Sequence, residues 1–151
     1  MPVSPIPPGY PRVSPYLVVQ DAKRALAWYV EALGAEATMR LPGANDTLMH
    51  AEFRIGDSVV MLGEQSPDHD AYGPGHFGGT PVSLVLYVEE VDAAFARATA
   101  AGAAAERPPT DQPYGDRMGT LRDPFGHRWH LASHIEDVST EEVIRRMSPP
   151  G

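Results

Sequence analysis

His50-Ala51-Glu52 sets an imidazole and a carboxylate two residues apart, the spacing that puts both on one face of a strand. His127, His130 and His134 fall at i, i+3 and i+7. On a helix that spacing would gather ligands; on a strand it sends His127 and His130 to opposite faces. Imidazole and carboxylate together suit zinc, iron(II) or manganese. There is no cysteine, so any metal falls to His, Asp, Glu or backbone oxygen. The same absence excludes a disulfide scaffold, a zinc ribbon, an iron–sulfur centre and a cysteine nucleophile. Arg54, Arg122 and Arg128 could grip a carboxylate or phosphate bidentately, or form rim salt bridges with Asp57, Asp116 or Asp123. Tyr114 could stack on a ligand or anchor its own loop, while Trp129 reads as core. His69 and His76 lie in a connecting loop, His76 as a candidate lid. Gly73 to Gly78 matches G-x-G-x-x-G but neither follows a strand nor opens a helix, so a dinucleotide site is not expected.

The elements that must position these groups fall into a repeat. An apolar strand, Val13 to Val19, leads to Asp21 and a helical stripe of Ala22, Ala25, Leu26, Tyr29, Val30 and Leu33 that Gly34 stops. Val82 to Val88, then Val91, Ala94, Phe95 and Ala98, then Gly102, repeat the order about 69 residues later. Met49 to Ile55 alternates, Gly56-Asp57 reads as a two-residue turn, and Ser58 to Leu62 returns. That turn pairs Ile55 with Ser58, Glu52 with Met61 and His50 with Gly63. In the later half Gly119 to Arg122, the turn Asp123-Pro124-Phe125-Gly126 and His127 to Ala132 do the same. The remaining strand of each half is read at Ala35 to Leu41 and Ala103 to Arg107, and Glu64 to Thr80 as a mobile loop. Ser139-Thr140-Glu141-Glu142 fits a capping box for a short C-terminal helix, with Arg145-Arg146 in its last turn.

The predicted fold is therefore α+β, two β-α-β-β-β modules at about 13–64 and 81–135 joined by a linker at 65–80. A Pro-rich segment, 1–12, precedes them, and a helix and tail, 136–151, follow. The 151 residues, 42% of them hydrophobic, suffice for a core. The formal net charge of −8, with 12 Lys+Arg scattered singly, disfavours nucleic acid and anionic membranes as partners. No basic start leads into an apolar run and no stretch could span a bilayer, so a cytoplasmic protein is expected.

Several local words resemble the vicinal oxygen chelate superfamily (glyoxalase, bleomycin resistance, dioxygenase), in its PhnB-like subgroup. They are Tyr16-Leu17-Val18-Val19-Gln20-Asp21, Trp28-Tyr29 through Leu33-Gly34-Ala35, His50-Ala51-Glu52, Ile55-Gly56-Asp57-Ser58, Tyr87-Val88-Glu89-Glu90-Val91 and Asp123-Pro124-Phe125-Gly126-His127. The resemblance implies one curved eight-stranded mixed sheet around a cavity, helices on its convex side, and a homodimer. It also implies four metal-ligand positions, which fall here on Ser14, Met61, Ser83 and His130. Only His130 is a usual ligand, so ordinary glyoxalase I activity is not expected. Because Met61 would face the cavity by this resemblance, the hairpin register brings His50 and Glu52 to the same face. His50, Glu52 and His130 then make a displaced candidate site for Zn, Fe, Mn or Ni.

Two readings follow. The first is a small-molecule binder of the bleomycin-resistance type, without a cofactor, holding a metabolite or antibiotic against Met61, Ser83, Tyr87, Tyr114, Arg128 and His130. The second is a metal-dependent lyase, isomerase or dioxygenase using the displaced site. An interaction module with an inert cavity is a third.

Overall fold

The computed structural model describes residues 2–151. Backbone contacts divide the chain into two compact units that meet between Gly79 and Thr80. Each unit is a β-α-β-β-β module. The eight strands form two four-stranded mixed sheets, one in each unit.

The first unit contains β1 (Tyr16–Val19), α1 (Ala22–Leu33), β2 (Glu36–Pro42), β3 (Leu48–Ile55) and β4 (Ser58–Glu64). Its sheet order is β1-β4-β3-β2, with β1 parallel to β4 and the rest antiparallel. The helix starts where the Asp21 carboxylate accepts from the Arg24 N–H at 3.0 Å. It ends at Gly34, whose φ of 69° suits a residue without Cβ. Ala22, Ala25, Leu26 and Tyr29 are its buried stripe, and Tyr29 stacks on Phe53 of β3 with ring centroids 5.0 Å apart. The first strand begins at Tyr16, later than the apolar run from Val13 suggests. Pro15 cannot donate to a ladder, and its carbonyl instead accepts from the Met61 N–H at 2.9 Å. Ser14 therefore lies outside the strand.

The linker is more ordered than a plain loop. It holds a 3-10 turn at Pro67–His69, a Ser66–Ala71 bridge and a single-turn helix α2 (Pro74–Phe77). Proline at the first helical position favours both turns.

The second unit contains β5 (Ser83–Tyr87), α3 (Val91–Ala100), β6 (Ala104–Asp111), β7 (Asp116–Arg122), β8 (Arg128–His134) and α4 (Thr140–Met147). Its order is β5-β8-β7-β6. The pairs Tyr16–Met61 and Val85–His130 occupy equivalent places in β1/β4 and β5/β8, which confirms the repeat. Val91, Phe95 and Ala98 of α3 are buried, as are Leu121, Trp129 and Leu131 of the sheet it packs on.

Several strands run further than the sequence suggests: β4 reaches Glu64 and β7 begins at Asp116. β6 continues through Pro108-Pro109 to Asp111, because it is an edge strand and a register shift between Arg107 and Thr110 absorbs the missing donors. The segment read as a loop, Thr110 to Arg117, is thus a tight hairpin turn at 112–115. Its Gln112 N–H donates to the Asp116 carbonyl at 2.7 Å, and Gly115 takes a φ of 98°. β8 likewise extends to His134, which pairs with Asp116. The predicted cap of α4 is present: the Ser139 hydroxyl accepts from the Glu142 N–H at 3.2 Å.

Candidate functional site

In the second unit, alternation along the strands sends Trp129 and Leu131 under α3. His130 of β8, Thr120 and Met118 of β7, and Ser83, Val85 and Tyr87 of β5 share the opposite face. No helix of this unit covers that face at β5, whose Val85 and Tyr87 are 54% and 60% exposed. A cavity of about 380 Å³ opens on it. Met118, Thr120 and His130 form its floor, Arg107, Pro108 and Thr110 its wall along β6, and Gln112 and Tyr114 its rim at the turn. The proline-driven bulge in β6 and the tight 112–115 turn are what bring wall and rim over the floor. The volume lies at the lower end of the usual range for small-molecule sites, about 300–1,000 Å³.

His130 is fixed at both nitrogens. Thr120 Oγ1 lies 2.8 Å from Nδ1 and Ser83 Oγ 3.1 Å from Nε2. Burial pushes its pKa below the ordinary 6.5, and the guanidinium groups of Arg128 and Arg107 add to the effect. At neutral pH it is an uncharged hydrogen-bonding group. Burial also raises the Tyr114 phenol, helped by the Asp116 charge, so the ring remains a neutral apolar surface with a donor tip. That tip reaches the Met118 sulfur at 3.5 Å.

The arginines divide sharply. Glu106 accepts from Arg128 at 3.1 and 3.2 Å and lies 3.4 Å from Arg122, so both are engaged by one carboxylate. Arg54 donates to the Gly9 carbonyl. None of the three meets the aspartates considered from sequence. Arg107, which the sequence did not single out, lines the cavity, and its guanidinium has no hydrogen bond or ion pair among the described residues.

Beside the cavity, Asp116 is 4% exposed and accepts from Tyr87 Oη at 2.7 Å and His134 Nδ1 at 2.8 Å. Burial works to raise its pKa, but the hydrogen bonds from His134 and Tyr87 outweigh it and hold it low. His134 Nε2 meets Asp137 at 2.8 Å, and the paired carboxylates raise the imidazole pKa. His134 is exposed as expected, but it ends the strand rather than following it, and both its nitrogens are bonded.

The first unit has its own polar cluster. His50 Nε2 donates to Glu52 Oε2 at 2.8 Å, and Tyr16 Oη lies 3.0 Å from His50 Nδ1. Tyr10 Oη donates to Glu52 Oε1 at 2.6 Å. His50 and Glu52 do share a face, and the predicted pairs Glu52–Met61 and His50–Gly63 are observed. A Cβ at Gly63 would stand 2.5 Å from the Tyr16 hydroxyl, so a larger residue there would displace the Tyr16 ring from His50. Burial works to raise the Glu52 pKa, but the His50 and Tyr10 hydrogen bonds outweigh it and hold it below the ordinary value. Among the described residues, no group of three or more His, Cys, Asp or Glu side chains is arranged to hold a metal ion.

Of the residues expected at a ligand, Tyr114 and His130 line the cavity and Ser83 supports it through His130. Tyr87 and Arg128 lie outside its lining on the same sheet face, committed to Asp116 and Glu106. Met61 belongs to the first unit, between Tyr16 and Glu52 in the sheet. Trp129 is core, 2% exposed, donating to Asp123 Oδ2 at 3.0 Å. His76 stacks on Tyr72 with ring centroids 3.9 Å apart, and His69 meets the Ser66 hydroxyl at 2.9 Å.

The sequence profile of the Glyoxalase/Bleomycin resistance protein/Dioxygenase superfamily matches residues 11–131. The chain belongs to this superfamily. An uncharacterized protein of Mycobacterium tuberculosis is 42% identical over 144 residues, 93% of this chain and 85% of that one. The crystal structure of TioX from Micromonospora sp. ML1 is similar at 32% identity with a TM-score of 0.67, covering 83% of this chain and 99% of TioX. A superfamily member from Sphaerobacter thermophilus is similar at 25% identity with a TM-score of 0.64, covering 80% of this chain and 94% of that one. No helix among the described residues is long and apolar enough to cross a membrane.

Proposed function

We propose that this superfamily member binds a small organic molecule, a metabolite or antibiotic, in the cavity of its second unit, and does so without a resident metal. The observation that carries the reading is the lining itself. An aromatic ring and a thioether, Tyr114 and Met118, stand against a short set of orienting groups, Thr120, Gln112 and neutral His130. Apolar surface supplies the affinity at such a site and the few polar groups set the pose. His130, the one usual ligand type among the four family positions, is occupied by two hydroxyls, an arrangement of a hydrogen-bonding floor. The reading extends, on family likeness, to a cytoplasmic homodimer.

The test is a fluorescence titration of the full chain with two apolar dyes, uncharged N-phenyl-naphthylamine and its sulfonated counterpart, anilinonaphthalene sulfonate. Binding is expected, and Tyr114→Ala is expected to weaken it about tenfold, the worth of one aromatic contact. Absence of binding by either dye, or equal binding by the variant, would contradict the proposal.

A further inference from the structure

The cavity is not electrically neutral. His130 is uncharged at neutral pH, Glu106 is consumed by Arg122 and Arg128, and no carboxylate lines the cavity. What remains in the lining is the Arg107 guanidinium, without an ion pair or hydrogen bond among the described residues. Its place is specified by the fold. The Pro108-Pro109 pair follows directly, and the register shift between Arg107 and Thr110 sets the bulged edge strand against Thr120. Arg107 pairs with Thr120 there, and Thr120 bonds His130 on the floor.

A solvent-facing arginine is common. This one differs because it lines the cavity with no carboxylate paired to it, and together with Arg128 it helps hold His130 in the neutral form. The chain as a whole carries a net charge of −8, so it repels anions at long range. Any preference for an anion must arise locally. The carboxylate beside the cavity, Asp116, is already engaged by Tyr87 and by His134, so it does not turn toward Arg107.

Resting on the binding reading above, we propose that the ligand is an organic anion: a carboxylate or sulfonate carried on a planar apolar body, with Arg107 as its charge partner. The planar body lies against Tyr114 and Met118, and the anionic group meets the guanidinium, whose fork matches two oxygens. Neutral His130 and Thr120 then orient a polar substituent of the body. A single guanidinium suits a single negative charge better than a polyphosphate.

The dye pair separates this inference from the binding reading. For the wild-type chain, the sulfonated dye is expected to bind about tenfold more tightly than the uncharged one, the scale of one charge-assisted contact. Arg107→Gln is expected to erase that preference by weakening the sulfonated dye about tenfold more than the uncharged one, and Arg107→Lys to restore part of it. If both dyes bind wild type equally, or if Arg107→Gln keeps the preference, the anion inference falls; Tyr114→Ala weakening both dyes would still uphold the cavity. If neither dye binds, both readings fall.

Discussion

Asp123→Ala is expected to cost about 3–5 kcal/mol of stability, enough to lower the melting temperature by roughly 10 °C. Asp123 is 3% exposed and uses both carboxylate oxygens to hold donors of the turn and the core. Oδ1 accepts from the Phe125 N–H at 2.9 Å and the His127 N–H at 3.0 Å, and Oδ2 accepts from the Trp129 indole at 3.0 Å. The first two shape the turn between β7 and β8. The third ties the turn to the core under α3. Alanine leaves the buried indole N–H without this acceptor and frees the turn that sets the β8 register. Because His130 sits one residue beyond Trp129, the cavity floor loosens with it. Scanning calorimetry checks this, with Asp123→Asn expected to fall between the two. A melting temperature within a few degrees of wild type would show that the turn is held by something else.

Glu52→Ala is expected to cost about 2–3 kcal/mol, since it strands the Tyr10 hydroxyl and the His50 N–H that the carboxylate now receives. Tyr10 lies in the Pro-rich N-terminal segment, and this bond ties that segment to the first unit's sheet. Limited proteolysis should therefore cut the N-terminal segment of the variant faster. The effect depends on pH with a definite sign. The folded-state pKa of Glu52 is depressed below 4.5. The stabilisation from its ionised form is complete above 4.5 and is lost as pH falls through the lower, folded-state value. Urea unfolding should show the gap between wild type and Glu52→Gln at neutral pH closing as the solution is acidified below pH 4.5. A gap that stays constant over that range would mean that the charge of Glu52 contributes nothing to the cluster.

Much of the scaffold was legible in the chain because its signals are local. Asp21 and Gly34 bracket α1 as read, and Gly56-Asp57 fixes the register that places His50 and Glu52 on one face. Asp123-Pro124-Phe125-Gly126 marks the second hairpin correctly. The site was less legible because its decisive partnerships are between residues far apart in sequence. Nothing in the spacing of Arg107, Arg122 and Arg128 says which of them Glu106 will occupy. That choice is made by strand pairing, and it turns an expected anion contact, Arg128, into a clamped ion pair while leaving Arg107 over the cavity. Proline also misleads: Pro108-Pro109 ends a strand by propensity, yet an edge position tolerates it. The Tyr10–Glu52 and His134–Asp116 bonds likewise join segments that no periodicity connects.

The central claim is that the second unit's cavity is the binding site. Its most direct test is an amide NMR titration of the full chain with anilinonaphthalene sulfonate. The largest shifts are expected at Arg107, Gln112, Tyr114, Met118 and His130. Shifts that leave these residues still and gather around Tyr16, His50 and Met61 of the first unit would contradict it.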